Sequence, residues 1–212
     1  MPQTKIDQAG LVDRLRRLQA TRRQVIAIAG APGSGKSTLA EAVVDDLNAD
    51  APGKAALLPM DGYHYDDGLL TQMGRLPYKG AADTFDVVGL AFILERLAAN
   101  TEPVITDPVF DRDLEIARAG ARQIPQSVEI LIVEGNYILL QEDPWARLAP
   151  FFDLTVMIDV PEDELRRRLT QRWVGYDLDE AAIAHKLDGN DLPNGRVVRE
   201  RSAPADFLLI QD

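Results

Sequence analysis

Cysteine is absent from this chain of 212 residues, and histidine occurs only at His64 and His185. Disulfides, thiol chemistry and cysteine metal sites are therefore excluded, and two histidines are too few for a histidine metal centre. No apolar run approaches the roughly 20 residues of a membrane span. The N-terminal segment has no long apolar stretch, and its Asp7 and Asp13 argue against a targeting peptide. We expect a cytoplasmic protein.

Basic residues are in the minority. The 23 lysines and arginines are outnumbered by 34 aspartates and glutamates, so the formal net charge is −11. Such a surface repels nucleic acid and anionic membranes, and we expect neither as a partner. Any anion site must then be built locally, from backbone dipoles and a few placed cations.

The length and the 46% hydrophobic content suffice for one domain with a sizeable core. Apolar residues at helical spacing predict an amphipathic helix over residues 4–20, within an N-terminal segment 1–20. We assign residues 21–212 to a single domain. A homodimer is left open.

The chain contains the phosphate-binding pattern G-x-x-x-x-G-K-[ST]. It lies in the run Gly30-Ala31-Pro32-Gly33-Ser34-Gly35-Lys36-Ser37, followed by Thr38. A short apolar, β-branched run at 24–29 precedes it, and Leu39, Val43 and Leu47 follow at helical spacing. Strand, glycine loop and helix together form a P-loop, whose free amides and helix dipole bind phosphate. The sequence therefore predicts a nucleotide site for ATP, with Lys36 on the outer phosphates and the Ser37 hydroxyl on Mg²⁺.

Buried strands alternate with helices along the rest of the chain. Strands are predicted at 24–29, 55–60, 103–106, 128–133, 154–160 and 206–210. Helices are predicted from residue 36, over 86–100, from residue 161 and over 179–188, with an irregular loop at 68–85 and a turn at 190–195. This order indicates an α/β fold of the P-loop NTPase type, with a doubly wound, mostly parallel, five-stranded sheet and helices on both faces.

Three acids follow apparent strands, at the sheet edge where such folds bind ligands. Asp61 could accept a proton from a substrate hydroxyl, or it could simply cap a turn. Glu134 could hold Mg²⁺ directly or through water, or it could cap the end of its strand. Asp107 follows the short strand at 103–106.

Four arginines cluster on the helix after Pro161, namely Arg166, Arg167, Arg168 and Arg172. Arg168 and Arg172 are four residues apart and share a face. Guanidinium groups suit the charge of a transferring phosphoryl group, which suggests a small helical lid around 161–175. The alternative is a solvated basic face that balances the acidic first turn of the helix.

Polar and aromatic residues near the predicted strand ends suggest an acceptor pocket, although core packing is the alternative for each aromatic residue. His64 lies beside Asp61 and is interpreted as a substrate contact, whereas His185 is interpreted as a helix surface residue. The residues proposed for the pocket are Tyr63, His64, Asp86, Arg112, Asn136 and Tyr137.

Four segments recur in this order in a known group of P-loop kinases. They are Pro59-Met-Asp-Gly-Tyr-His64, Lys79-Gly-Ala-Ala-Asp-Thr-Phe-Asp86, Pro108-Val-Phe-Asp-Arg112 and Val133-Glu-Gly-Asn-Tyr137. The chain resembles the uridine kinase, phosphoribulokinase and pantothenate kinase group over roughly residues 20–212. It is most similar to the bacterial branch labelled fructose transport system kinase.

The resemblance implies transfer of phosphate from ATP to an alcohol. It makes Asp61 the general base, Glu134 the acid of the second motif, and Arg168 or Arg172 a lid arginine. Asn190 and Asn194 lie in a segment that resembles the C-terminal asparagine segment of pantothenate kinases, which implies a place near the nucleotide.

The acceptor is left open among small hydroxyl compounds. Gly62-Tyr63-His64 replaces the Ser-Phe-Tyr typical of uridine kinases, which disfavours uridine. A sugar such as fructose is expected first, and pantothenate or a nucleoside second. Two other classes compete with a kinase. A P-loop switch or motor lacks support because the chain has no Asn-Lys-x-Asp motif. A nucleotide-binding regulator without turnover stays an alternative.

Overall fold

The main sheet of the protein has six parallel strands in the order β1-β8-β7-β2-β6-β3 in a computed structural model that describes residues 3–18 and 21–210. A separate antiparallel hairpin is formed by β4 and β5. The strands are β1 Thr4–Lys5, β2 Gln24–Gly30, β3 Ala55–Pro59, β4 Val104–Asp111, β5 Ile116–Pro125, β6 Ile130–Gly135, β7 Leu154–Asp159 and β8 Phe207–Ile210.

Helices cover both faces of the main sheet, as the sequence predicts for a doubly wound fold. The α-helices are α1 Gln8–Arg16, α2 Lys36–Asp50, α3 Asp67–Gln72, α4 Val87–Ala99, α5 Glu162–Val174, α6 Glu180–Lys186 and α7 Leu192–Arg201. Short 3₁₀ turns lie at Met60–Tyr63, Leu76–Tyr78 and Trp145–Phe151, and a π-helical turn at Leu187–Asp191 joins α6 to α7.

The core has one apolar layer on each side of the sheet. Side chains of α1, α2, α5 and α6 pack on one face, and those of α4 and much of α7 pack on the other. The central strand β2 lies between β6 and β7, and Val25–Ala29 are fully inaccessible to solvent. A strand buried on both faces needs an unbroken apolar run, which is why Val25-Ile26-Ala27-Ile28-Ala29 could be identified from sequence.

The sheet has one strand more than the five predicted, and the additional strand is β1. The sequence predicts a helix over 4–20, but Thr4–Lys5 pair with Phe207–Leu208, and the helix covers only Gln8–Arg16. Asp7 is the N-cap of the helix, because its side chain accepts a hydrogen bond from the Gly10 amide. Residues 19 and 20 of the predicted helix lie outside the described residues.

The short strand predicted at 103–106 is the first half of a long hairpin outside the main sheet. β4 runs to Asp111 and pairs with β5, so Asp107 lies inside a strand rather than after one. The sequence analysis missed β5 because most of its residues are exposed and it lacks an apolar face toward the core. In β4, Asp107 is nevertheless buried, opposite Arg122 of β5.

Two further segments differ from the sequence prediction. The turn predicted at 190–195 is the junction of the π-helical turn with α7, in which Pro193 occupies the first helical turn. Proline is favoured there because its missing N–H is not needed. The irregular loop predicted at 68–85 contains α3, which Asp66 caps through the Gly68 amide.

Within the described parts of the chain, no helix combines the length and the apolar character needed to cross a membrane.

Candidate active site

The glycine loop lies at the centre of the sheet, between the end of β2 and the start of α2. Gly33 and Gly35 have φ values of +80° and +83°, a region that L side chains rarely adopt. A Cβ on Gly33 would lie 2.9 Å from Leu169 Cγ of α5, so a larger residue is excluded there by packing as well. The loop is closed by a hydrogen bond from the Ser34 amide to the Ala31 carbonyl, at 3.0 Å. This geometry aims the N-terminal amides of α2 at one point, as a phosphate cradle requires.

Ser37 and Glu134 meet beside this loop. The Ser37 hydroxyl donates to Glu134 Oε1 at 3.1 Å. Glu134 Oε2 is buried and finds no hydrogen-bond partner anywhere in the described chain. Burial raises the pKa of Glu134, the charge of Asp61 adds to the rise, and Lys36 opposes it. A hydroxyl next to a carboxylate with a free oxygen is a donor set that suits Mg²⁺ bound to nucleotide phosphates, so the residues fit that ion.

Asp61 lies in the 3₁₀ turn that follows β3, and β3 is hydrogen-bonded to the strand that carries Glu134. Its Oδ2 accepts a hydrogen bond from Arg112 Nη2 at 2.6 Å. Burial acts to raise the pKa of Asp61, but the charges of the nearby lysine and arginines, Lys36 foremost, more than offset it, so the pKa is lowered. The side chain is therefore a carboxylate at neutral pH, able to accept a hydrogen bond from a hydroxyl.

His64 is placed beside Asp61 by the same turn. Its Nδ1 lies 2.7 Å from the Asp61 carbonyl, which can only accept, so Nδ1 carries the proton. Burial lowers the pKa of His64, with Lys79 and Arg112 adding to the effect against Asp61. The neutral ring then presents Nε2 as an acceptor. The rings of Phe85 and Phe110 lie 4.1 and 4.6 Å from it, centre to centre.

The arginines of α5 divide into two pairs. Arg166 and Arg167 are exposed, and they bind Asp188 and Glu164 respectively. Arg168 binds Glu164 at 2.6 Å and reaches toward the Ser34 carbonyl of the loop, at 3.5 Å. Arg172 lies close enough to lower the pKa of Asp61. Arg168 therefore approaches the glycine loop, and Arg172 acts on Asp61 through its charge.

The six residues proposed for an acceptor pocket do not all face one space. Tyr63 and Tyr137 are buried, and their hydroxyls donate to Asp107 Oδ1 and to the Gly80 carbonyl, both at 2.7 Å. Asp86 caps α4 by accepting from the Gly89 amide at 2.8 Å. His64 and Arg112 flank Asp61, and Asn136 has a buried Oδ1 without a hydrogen-bond partner among residues 3–18 and 21–210. The acceptor role of all six stays a prediction.

Asn190 and Asn194 link the start of α7 to the segment before α4. Asn190 donates to the Lys79 carbonyl at 3.1 Å, and Asn194 donates to Asn190 Oδ1 at 2.9 Å. At the residue after Asn194, a Cβ on Gly195 would lie 3.4 Å from the Ala31 Cβ. This places α7 against the first residues of the glycine loop. A contact of either asparagine with nucleotide stays a prediction.

Sequence reasoning assigned no role to Lys79, which the structure places at the mouth of the site. Its Nζ binds Asp67 at 2.6 Å and the Glu115 carbonyl at 2.5 Å, and it lies 5.3 Å from the centre of the Phe110 ring. Lys79 thus ties α3 to the tip of the β4–β5 hairpin. The only signal in the sequence was its place at the start of the second family segment.

The loop, the Ser37–Glu134 pair and Asp61 all lie at the carboxyl ends of neighbouring parallel strands. A phosphate cradle with a hydroxyl–carboxylate pair that could hold a metal ion, and with an ionised carboxylate beside it, is the arrangement of a P-loop kinase site.

No family model matches the chain. The protein named "Uncharacterized protein YggC" from Escherichia coli (strain K12) is 32% identical over 197 residues, which cover 92% of this chain and 81% of that protein. The protein named "Putative uridine kinase C227.14" from Schizosaccharomyces pombe (strain 972 / ATCC 24843) is 30% identical over 205 residues, which cover 92% and 86%.

The fold matches solved kinase structures. The structure named "putative fructose transport system kinase", from Silicibacter sp. TM1040, has a TM-score of 0.88 at 38% identity and covers 96% of this chain and 98% of that one. The chain therefore belongs to the P-loop kinases of the uridine kinase and pantothenate kinase group, as the order of its motifs predicts, and it is an enzyme of the kinase class.

Proposed function

We propose that this kinase transfers the γ-phosphate of ATP, with Mg²⁺, to a hydroxyl group of a small polyhydroxylated molecule, and that a sugar such as fructose is the first candidate. The observation that carries the proposal is the convergence of three parts at one sheet edge. These are the glycine loop, the Ser37–Glu134 pair at 3.1 Å, and the ionised Asp61.

The chemical roles follow from this geometry. An acceptor hydroxyl donates to Asp61, its oxygen attacks the γ-phosphorus, and the bond from that phosphorus to the ADP oxygen breaks. The hydroxyl proton passes to Asp61. Lys36 and Arg172 supply positive charge to the transferring phosphoryl group, with Arg168 on the loop side. Mg²⁺, held by Ser37 and Glu134 when bound, screens the phosphate charge.

The acceptor side of the site favours a neutral molecule. Lys79 is already paired with Asp67, and the acceptor hydroxyl must approach the negatively charged Asp61. His64 Nε2 and Asn136 Oδ1 are hydrogen-bond acceptors, which suit hydroxyl donors. A sugar offers several hydroxyls, whereas pantothenate brings a carboxylate that needs a free cation. The name of the Silicibacter structure points the same way.

A coupled assay of ADP release with MgATP tests the proposal over a panel of sugars, pantothenate and nucleosides. We expect stimulation by at least one sugar. In Asp61→Asn the turnover should fall by about 10²–10⁴-fold, because the amide cannot take the proton. Asp83→Asn is the matched control, since Asp83 is an exposed carboxylate of the same region paired with Arg75.

The outcomes separate the alternatives. Turnover of pantothenate or a nucleoside, with none on any sugar, would replace the acceptor and keep the kinase. No stimulation by any hydroxyl compound would favour a nucleotide-binding regulator. Normal turnover in Asp61→Asn would assign the base to another residue.

A further inference from the structure

Asp61 is covered by an arginine in this structure. Arg112 Nη2 lies 2.6 Å from Asp61 Oδ2, and the exposed fractions of the two side chains are 46% and 17% respectively. The guanidinium therefore covers the carboxylate from the solvent side. A group that approaches Asp61 from outside, whether acceptor or water, must compete with Arg112 for that oxygen.

The backbone around Arg112 is held by a hydrogen-bonded turn. It directly follows β4, and Asp111 Oδ1 accepts hydrogen bonds from the Asp113 and Leu114 amides, at 3.2 and 3.1 Å. Beyond the turn, Lys79 ties the Glu115 carbonyl to Asp67 of α3. The hairpin tip that carries Arg112 is therefore fastened to the body of the protein.

A kinase whose general base is open to solvent can hydrolyse ATP without phosphorylating an acceptor. Water can occupy the place of the acceptor hydroxyl, and the base that activates a sugar hydroxyl activates water as well. Exclusion of water from such sites is a general means of preventing wasteful hydrolysis.

We propose that Arg112 is a latch on Asp61 that suppresses hydrolysis of ATP until an acceptor displaces it. The inference rests on the proposed function, in which Asp61 is the general base. In the latched state Oδ2 is occupied, and a water molecule next to the γ-phosphate lacks a well-placed proton acceptor. A polyhydroxylated acceptor offers several hydroxyls to Asp61 and His64 at once, and it displaces the guanidinium where a single water does not.

The suppressed reaction is a simple one. The oxygen of water attacks the γ-phosphorus, the bond from that phosphorus to the bridging oxygen breaks, and ADP leaves with the bonding electrons. The proton of water passes to Asp61. The products are ADP and inorganic phosphate, and no further reactant is needed.

The test measures hydrolysis of MgATP with no acceptor present. Arg112→Met removes the charge but keeps much of the side-chain volume, and it should raise hydrolysis by about fivefold or more, the change expected for the loss of a half-exposed ion pair. Arg112→Lys keeps a cation and should raise it less. In the double variant Asp61→Asn/Arg112→Met the gain should disappear, because the uncovered base has been removed.

The matched control is Arg118→Met. Arg118 lies on β5 of the same hairpin and pairs with Asp111 at 3.3 Å, and its exposed fraction is 54%. Its replacement should leave hydrolysis unchanged. Thermal unfolding of every variant shows whether the hairpin stays folded, and Arg112→Lys gives a second reading if Arg112→Met is destabilised.

Unchanged or lower hydrolysis in a folded Arg112→Met variant would overturn the latch, and so would a gain that persists in the double variant. Both readings use only ATP and water. They are therefore independent of the acceptor screen, whose failure would count against the proposed kinase reaction alone.

Discussion

Asp107 is a fully buried carboxylate of the hairpin, and its surroundings define a structural role. Its side chain has 0% exposure, Tyr63 donates to Oδ1, and Arg122 Nη1 lies 3.7 Å from Oδ2. Arg122 also donates to the Leu57 carbonyl of β3 at 3.0 Å. This cluster fastens the base of the hairpin to the main sheet, close behind Asp61.

Burial raises the pKa of Asp107 to about 6, against the lowering effects of the Tyr63 hydrogen bond and of Arg122. The folded protein thus holds this proton more tightly than the unfolded chain, whose pKa is the ordinary value near 3.8. Its contribution to stability is full below the unfolded pKa and is lost as the pH rises through the folded pKa.

We predict that Asp107→Asn removes this loss. The free energy of unfolding of the variant, relative to wild type, should rise by up to about 3 kcal/mol between pH 4 and pH 7. Urea unfolding at several pH values measures the difference. A constant difference across that range would show that Asp107 does not titrate there.

At the scale of elements, α5 joins the core to the site. Leu165 and Leu169 pack into the core, Arg168 reaches toward the loop, and Arg172 lowers the pKa of Asp61 through its charge. Leu169 contacts the position of Gly33, so a movement of α5 is linked to the glycine loop. The role of residues 161–175 as a lid stays a prediction.

Arg172→Ala should lower kcat by about tenfold or more while ATP affinity changes little, because its charge acts mainly on the transferring phosphoryl group. Arg166→Ala is the control on the same helix, because Arg166 is exposed and pairs with Asp188. Steady-state kinetics with the acceptor found in the screen, together with ATP titration, measure both effects. Equal effects of Arg172→Ala and Arg166→Ala on kcat would indicate that the arginines of α5 form only a solvated basic face.

The hairpin packs on the turn of Asp61 without room for a side chain. A Cβ on Gly62 would lie 2.4 Å from the Pro108 carbonyl oxygen, a backbone atom that cannot move alone. Gly62→Ala should therefore destabilise the protein by about 1–3 kcal/mol. It should also lower turnover, since Asp61 is adjacent.

Gly189→Ala is the comparison for that substitution, because its nearest contacts are ring atoms of His185 at 3.9 Å or more. Thermal unfolding of both variants measures the difference. If Gly62→Ala is as stable as wild type, the close packing of hairpin and turn is not a constraint.

The elements divide into those that the sequence could predict and those that it could not. β2, the glycine loop and α2 could be predicted from local patterns. The phosphate-binding motif has a recognisable sequence, and a fully buried strand has an unbroken apolar run. β5 has no such local pattern, since Ile116–Pro125 is mostly exposed and pairs along its length with β4. The start of α7 was misread because Pro193 and Gly195 are typical of turns, although both fit the helix here.

The site shows the same division. The glycine loop, Asp61, Asp107 and Glu134 are predicted as a group because strand ends meet at one edge of a parallel sheet. Asp107 lies instead inside β4. The contacts that set their surroundings join residues far apart in the chain, such as Arg112 with Asp61 and Lys79 with Glu115. Nothing in the sequence fixes such pairs before the fold is known.

For the whole molecule, nucleotide binding should raise the free energy of unfolding. A ligand that binds only the folded state at 100 times its Kd stabilises by about 2.7 kcal/mol. For a chain of this size, the midpoint of thermal unfolding should then rise by about 5–10 °C with MgATP. Lys36→Ala should fold normally and lose most of this shift. An equal shift in wild type and Lys36→Ala would place the nucleotide elsewhere.

The most direct test of the proposed transfer to a sugar follows the γ-phosphate itself. ATP labelled at the γ-phosphate is mixed with excess enzyme, Mg²⁺ and the sugar panel led by fructose, and the label is located after one turnover. The account predicts label covalently bound to the sugar in the wild-type reaction and none in Lys36→Ala or Asp61→Asn. Label that stays in ATP for every acceptor, or that reaches a sugar equally well in Asp61→Asn, would contradict it.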